Sequence, residues 1–323
     1  MLSPTAATAQ ASASEAPKHT YHAFMAKMQQ PSATPLFRSI KLFVRDLLSD
    51  TRRTVDELSD AVQAFFHETE EAIAQHPLWH GCDAEELEKA CDALEKFVTT
   101  KLYDRVFLTD EQEVENDRVL SERLQHLRFI TVEHLSISPE LCSAYPWEGA
   151  QQELCKMATY RTPRDKLVCV LNCCKRINSS LSVTSAGVHG ADEFFPVLIY
   201  VLLQACPPQL HANLQYIARF RHPSKLVSEA AYYLTNMQSA AAFVLSLSAE
   251  QLSIEQAPPP AAFPWPDHTA SETLLTYPAP ALLLPPTAGR LPATPRQGAR
   301  GRGRAEGGGR ARGGRGAGGR GGA

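Results

Sequence analysis

The sequence predicts an all-α protein, with an N-terminal four-helix bundle packed against a second helical domain and a non-globular C-terminus. Three observations predict it. Apolar residues recur at helical spacing in segment after segment from Tyr21 to Glu255, and no alternating pattern bounded by turn residues competes with them. Glycine is nearly absent from this region: only Gly81, Gly149, Gly187 and Gly190 precede residue 289, too few for a hairpin-rich fold. The periodic segments are joined by short polar links, the spacing expected of antiparallel neighbours.

Residues 1–20 are rich in Ala, Ser, Thr and Pro, and they read as disordered. The bundle is expected over 21–132. Thr34 reads as an N-cap followed by a first-turn proline, Pro35, with Leu36, Ile40, Phe43 and Leu47 forming the first stripe. Val55, Leu58, Val62 and Phe65 follow Thr54, and Leu87, Cys91, Leu94, Val98 and Leu102 make the third. Val119 or Leu120, with Leu124, Leu127 and Ile130, makes the fourth. The second domain is expected over 133–256, opening with a loop that holds Pro139, Pro146, Trp147 and Gly149. Thr162-Pro163-Arg164-Asp165 then starts a helix, with a hydroxyl cap, proline at the first position and a carboxylate at the third. That helix is expected to end in a loop from Ser179 to Gly190. The segment from Ala191 to Leu203 is apolar nearly all round and reads as a central core helix with Pro196 near its start. Two more helices are expected at 208–220 and 229–247, separated by His222-Pro223. Eleven of the 23 prolines then lie between Pro258 and Pro295, so 257–288 reads as a Pro-rich linker and 289–323 as a Gly/Arg-rich tail.

A formal net charge of −3 conceals an uneven distribution. Residues 289–323 hold nine Arg and one Glu, which leaves the first 288 residues at −11. No G-x-G-x-x-G or G-x-x-x-x-G-K-[ST] motif appears, which argues against a nucleotide site of the chain's own. The longest apolar stretch, Phe194 to Ala205, is too short to span a bilayer, and the N-terminus has no signal-peptide pattern. A cytoplasmic protein is expected. Eight cysteines are scattered without a C-x-x-C pair, so they are expected to be small buried hydrophobes and not metal ligands. No nucleophile–base motif is present, and no cofactor or metal is expected.

Asp192 falls at the N-terminal edge of the core helix. Position alone favours an N-cap or first-turn carboxylate; the sharper alternative is a carboxylate held at the rim of a groove for a partner. Here the sequence resembles a known family. Gly190-Ala191-Asp192-Glu193-Phe194-Phe195-Pro196-Val197-Leu198-Ile199-Tyr200 is very similar to the core signature of the VPS-nine (vacuolar-protein-sorting-nine) domain. Pro207-Pro208, Asn213 to Ile217, Arg219-Phe220 and Tyr232 to Asn236 support it. Upstream, Arg161 to Leu167, Arg123 to Arg128 and Lys101 to Phe107 extend the likeness to Rabex-like exchange factors of that family, over roughly 21–255.

The resemblance implies a guanine-nucleotide exchange factor for endosomal Rab GTPases of the Rab-five subfamily, without covalent chemistry and peripheral at early endosomes. An exchange factor must bind the nucleotide-free GTPase better than the GDP-bound one, and linkage then weakens nucleotide affinity by the same factor. In the family, the aspartate of the Gly-Ala-Asp signature, here Asp192, acts as an acidic finger that takes over the lysine holding the β-phosphate. Tyr232 is the second determinant implied, packing on the GTPase switch region with Thr235 and Asn236 nearby, while Pro196 shapes the groove wall. Asn213, Tyr216 and Phe220 read as structural. The sequence departs from the family pattern at Ser228-Glu229-Ala230-Ala231, where a glycine is expected. The family's N-terminal zinc finger and C-terminal coiled coil have no counterpart in the sequence. The alternatives are an exchange-dead helical scaffold, or a nucleic-acid-associated protein acting through the tail, whose arginines could give weak RNA or anionic-lipid binding by neutralising phosphates.

Overall fold

The computed structural model describes residues 20–138, 141, 147–184 and 191–248. The expected disordered segments of the N-terminus, the linker and the tail fall outside the described residues. Every regular element among the described residues is helical.

Residues 20–28 form α1. It is followed by α2 (Thr34–Ser49), α3 (Val55–Gln75), α4 (Ala84–Val106) and α5 (Glu111–His126). Local chemistry starts each of the last three. Thr54 and Glu57 make a reciprocal capping box on α3. Asp83 accepts from the Glu86 amide on α4, and Asp110 accepts from the Gln112 and Glu113 amides on α5. Thr34 differs from expectation: it is the first residue of α2 and makes no cap, because a 3-10 turn at Pro31–Ala33 leads the chain in.

Two apolar cores result. The first gathers Phe24 and Met28 of α1, Ile40, Val44 and Leu47 of α2, Leu58, Val62 and Phe66 of α3, and Leu94, Val98 and Leu102 of α4. Phe66 takes the core place expected for Phe65, whose ring instead stacks on Phe43 at 3.8 Å. A four-helix bundle is present, but α1 supplies the fourth member. The stripe on α5 is buried as expected, yet Leu120, Leu124 and Leu127 face the second core, with Ile130. A periodic stripe states that a face is buried, not what buries it.

The second core is built by α5 with α6 (Glu148–Lys156), α7 (Pro163–Thr184), α8 (Ala191–Ala205), α9 (Leu210–Phe220) and α10 (Ser228–Ser246). The α6 helix lies where a loop was expected; at nine residues, with only Ala150 and Leu154 as buried apolar positions, it shows little periodicity. Thr162 caps α7 as expected, accepting from the Asp165 amide at 3.1 Å. That helix runs on to Thr184, two turns past the predicted end. Ser180 and Ser182 point their hydroxyls at carbonyls four residues back, which lets serine remain helical. Cys169, Cys173 and Cys174 of α7 are buried as small hydrophobes, whereas Cys155 on α6 is exposed.

The α9 helix joins the cores. Leu210, Leu214 and Ile217 sit in the second, while Tyr216 and Phe220 sit in the first. It has no cap of its own, because Gln209 precedes it in a left-handed conformation without a side-chain bond. Instead Asp117 of α5 accepts from the Ala212 amide at 3.1 Å. At the other end, Ser59 and Gln63 of α3 donate to the Arg219 carbonyl at 2.8 and 2.7 Å. Arg221, just beyond α9, pairs with Glu95 of α4 at 2.8 Å and with Asp92 at 2.9 Å. The structural reading of Asn213, Tyr216 and Phe220 agrees with this packing, since all three are buried.

Candidate GTPase-binding edge

Two helices carry the residues singled out in the sequence. Asp192 is the second residue of α8, and Pro196 lies four residues on. Spacing therefore puts both on one face of the helix. The Asp192 side chain lies outside the described residues. Pro196 is half-buried in the second turn, beyond the first-turn position where proline costs nothing, and it brings no N–H to the carbonyl four residues back. Tyr232, Thr235 and Asn236 fall at i, i+3 and i+4 on α10, again one face.

The helices meet directly. Phe194 of α8 lies against Tyr233 of α10, ring centroids 6.1 Å apart, and Phe195 approaches Phe243 at 6.4 Å. These aromatic contacts hold the two helices together.

Both tyrosines are buried, each 8 % exposed, with ring centroids 5.2 Å apart. Tyr233 is locked by Asn178 of α7, whose amide donates to its hydroxyl at 2.8 Å. Asn236 donates to the Tyr232 carbonyl at 2.8 Å, so its amide serves its own helix in this state. Burial pushes both phenols above their usual range, the side chains of Asn236 and Asn178 opposing it. Thr235 and Asn236 are half-buried.

Two features of this edge went unread in the sequence, and a third, at Ser228, was read only as a departure from the family pattern. Val227, five residues before Tyr232, is 56 % exposed, an apolar side chain with nothing on top of it. Ser228 takes φ 50°, the left-handed region, at the place where the family pattern calls for glycine. Lys175 of α7 reaches Glu229 in the first turn of α10 at 2.8 Å. None has a local signature, because each depends on how α10 is entered.

Comparison with known proteins finds a family match over these helices. Residues 147–249 match the vacuolar sorting protein 9 (VPS9) domain. The chain is a VPS9-domain protein. The VPS9 match runs from the start of α6 past the end of α10, taking in both halves of the edge. Residues 38–103 match a domain of unknown function, DUF5601, which falls on the N-terminal bundle. The chain is 46 % identical over 243 residues to vacuolar protein sorting-associated protein 9A of Arabidopsis thaliana, covering 73 % of this chain and 46 % of that protein. It is 35 % identical over 252 residues to vps901 of Schizosaccharomyces pombe, covering 74 % and 44 %. It is 32 % identical over 228 residues to the Rab5 GDP/GTP exchange factor of Homo sapiens, covering 68 % and 45 %. The chain spans about half the length of these relatives. Among the described residues no single helix is long and apolar enough to cross a membrane.

Proposed function

We propose that the chain is a guanine-nucleotide exchange factor for a Rab-family GTPase of the Rab5 class, working without covalent chemistry at early endosomal membranes. The reading is supported by the VPS9 domain over 147–249. It is supported too by Asp192 and Pro196 sharing one face of α8 while Tyr232, Thr235 and Asn236 share one face of α10, a helix that α8 contacts through Phe194 and Tyr233. The Rab5 exchange factor among its relatives supports the choice of GTPase.

GDP is held in a small GTPase by backbone amides, a lysine and Mg²⁺, all complementary to phosphate charge. Asp192, at the tip of α8, enters beside the lysine as a substitute anion and repels the β-phosphate and the metal's ligands. The exchanged partner charge matters, because an unpaired desolvated lysine costs several kcal/mol. Tyr232 and Val227 receive the apolar part of the switch region, and Pro196 shapes the wall beside Asp192. For Tyr232, buried in this state, this requires its ring to turn outward to the partner.

The test is release of a fluorescent GDP analogue from a panel of Rab proteins. Asp192→Ala is expected to abolish stimulated release from the responding Rab while leaving helix content unchanged. Release by Asp192→Ala at the wild-type rate would remove the acidic-finger role, and no stimulation of any Rab by the wild type would remove the exchange activity.

A further inference from the structure

The outward face of α2 carries a charge opposite to that of the body as a whole. From residue 20 to residue 45 there is no Asp or Glu, against Lys27, Arg38, Lys41 and Arg45. Lys27 is paired with Glu86 of α4 at 2.7 Å. The other three recur at i, i+3 and i+7, on one face of the helix. Arg38 and Lys41 meet no carboxylate among the described residues. Arg45 meets only its neighbour Asp46 at 2.9 Å, with side chains 70 % and 65 % exposed, a pair that water and salt largely screen.

These three cations line a groove of about 550 Å³ between the end of α1 and α2. Its lining also takes in Met28, Phe37 and Leu42, the last 40 % exposed, and no carboxylate among the described residues. Lys41 Nζ stands 4.0 Å from the Phe37 ring centroid, so positive charge and apolar surface adjoin. An occupant of such a groove brings negative charge, no positive charge and large apolar side chains.

The chain itself contains a segment of that chemistry. Residues 249–288 carry Glu250, Glu255, Asp267 and Glu272, with no Lys or Arg. Phe263, Trp265, Leu274, Leu275 and Tyr277 stand among them, and Pro264 and Pro266 flank Trp265. Each proline fixes one backbone angle, which lowers the cost of ordering the segment. The two terminal segments do not suit: 1–19 balances Glu15 against Lys18, and 289–323 is strongly basic. Phe263 lies 15 residues beyond Ser248, where the described residues end. That length extends to about 50 Å, against about 45 Å across a compact domain of the body's size.

We propose that the groove between α1 and α2 is a docking site for the chain's own acidic aromatic segment, residues 263–277. Asp267 and Glu272 meet the cations of α2, and the aromatic side chains meet the apolar lining.

The test reads the ¹⁹F resonances of the full chain carrying 5-fluorotryptophan at Trp79, Trp147 and Trp265. Trp265→Phe assigns its peak, and a free peptide of residues 257–280 gives the undocked position. The wild-type Trp265 peak is expected away from the peptide's position. It is expected to return there in the triple variant Arg38→Glu, Lys41→Glu and Arg45→Glu, all exposed positions, with helix content unchanged. Adding Asp267→Lys and Glu272→Lys to that variant is expected to restore the wild-type shift, a rescue that a general loss of fold would not give. Raising salt from about 0.1 to about 1 M shortens the screening length from about 10 to about 3 Å and is expected to move the peak toward the peptide's. A wild-type Trp265 peak at the peptide's position overturns the proposal, and sedimentation with phosphatidylserine vesicles that the triple variant loses then gives the groove to a lipid surface. A shift that grows with protein concentration overturns it in favour of a second copy. A shift that survives the triple variant, or that the charge swap fails to restore, overturns it too.

Discussion

Replacing Arg221 by Met tests the join between the two cores. Arg221 is 7 % exposed and Glu95 3 % exposed, and one guanidinium nitrogen lies 2.8 and 2.9 Å from the two oxygens of Glu95. The His222 amide adds a third contact to that carboxylate at 3.1 Å. Burial pushes the Glu95 carboxyl up to about 7, with Arg221 and the His222 amide resisting. Without Arg221 the carboxylate keeps one donor in an apolar setting, and breaking such a pair costs about 3–5 kcal/mol. Glu95→Gln removes the charge while Arg221 retains Asp92 at 2.9 Å, so its cost is smaller. The double variant is therefore expected to be more stable than Arg221→Met alone, with a coupling energy of about 2 kcal/mol or more. Urea unfolding followed by circular dichroism at 222 nm gives the four midpoints. At alkaline pH Glu95 is charged in wild type, and the loss in Arg221→Met is greatest. With Arg221 in place the carboxyl still sits at about 7, so the folded state holds an extra proton from the ordinary carboxylate range up to 7 and wild-type stability falls as pH rises through that window. Without Arg221 the window reaches higher. Purely additive single effects would refute the reasoning.

Other consequences are as direct. Lys166 is fully buried, donates to Asn213 at 2.5 Å and to the Met157 carbonyl at 3.2 Å, and lies 4.8 Å from the Phe107 ring; burial lowers its pKa to about 8. The unfolded chain then binds the extra proton between pH 8 and 10, so wild type should gain stability over Lys166→Met by up to about 1.4 kcal/mol per pH unit there, measured by urea unfolding at a series of pH values. Ser228→Gly relieves a left-handed residue and should raise stability by about 1 kcal/mol, read as a higher urea midpoint. A fragment limited to 147–249 lacks Asp117, Ser59, Gln63 and Glu95, the partners of α9 and Arg221, and should show broadened, non-cooperative unfolding where 20–248 unfolds in one step.

The helical class was legible because amphipathic stripes and caps are local. Thr54 with Glu57 and Thr162 with Asp165 act within one turn, and the structure forms both caps. What was illegible acts across distance. Glu95 and Arg221 are 126 residues apart, and nothing near either names the other. The allegiance of α5 could not be read for the same reason, and α6 was too short to show its period. At the candidate edge, the family signature located Asp192, Pro196, Tyr232, Thr235 and Asn236, and folding brings their two helices into contact. It did not show that Tyr232 is covered, since burial depends on what Tyr233, Phe194 and Asn178 do around it.

Pro196 has a mechanical consequence. By withholding one N–H it leaves the opening turn of α8 a rung short of a full ladder, while Val197, Leu198, Val201 and Leu202 anchor the remainder in the interior. Bending the tip is thereby cheaper by about one net hydrogen bond, about 1 kcal/mol, than bending any later turn. A spine that yields only at its point can adjust a charge by an ångström without loosening what stands behind it.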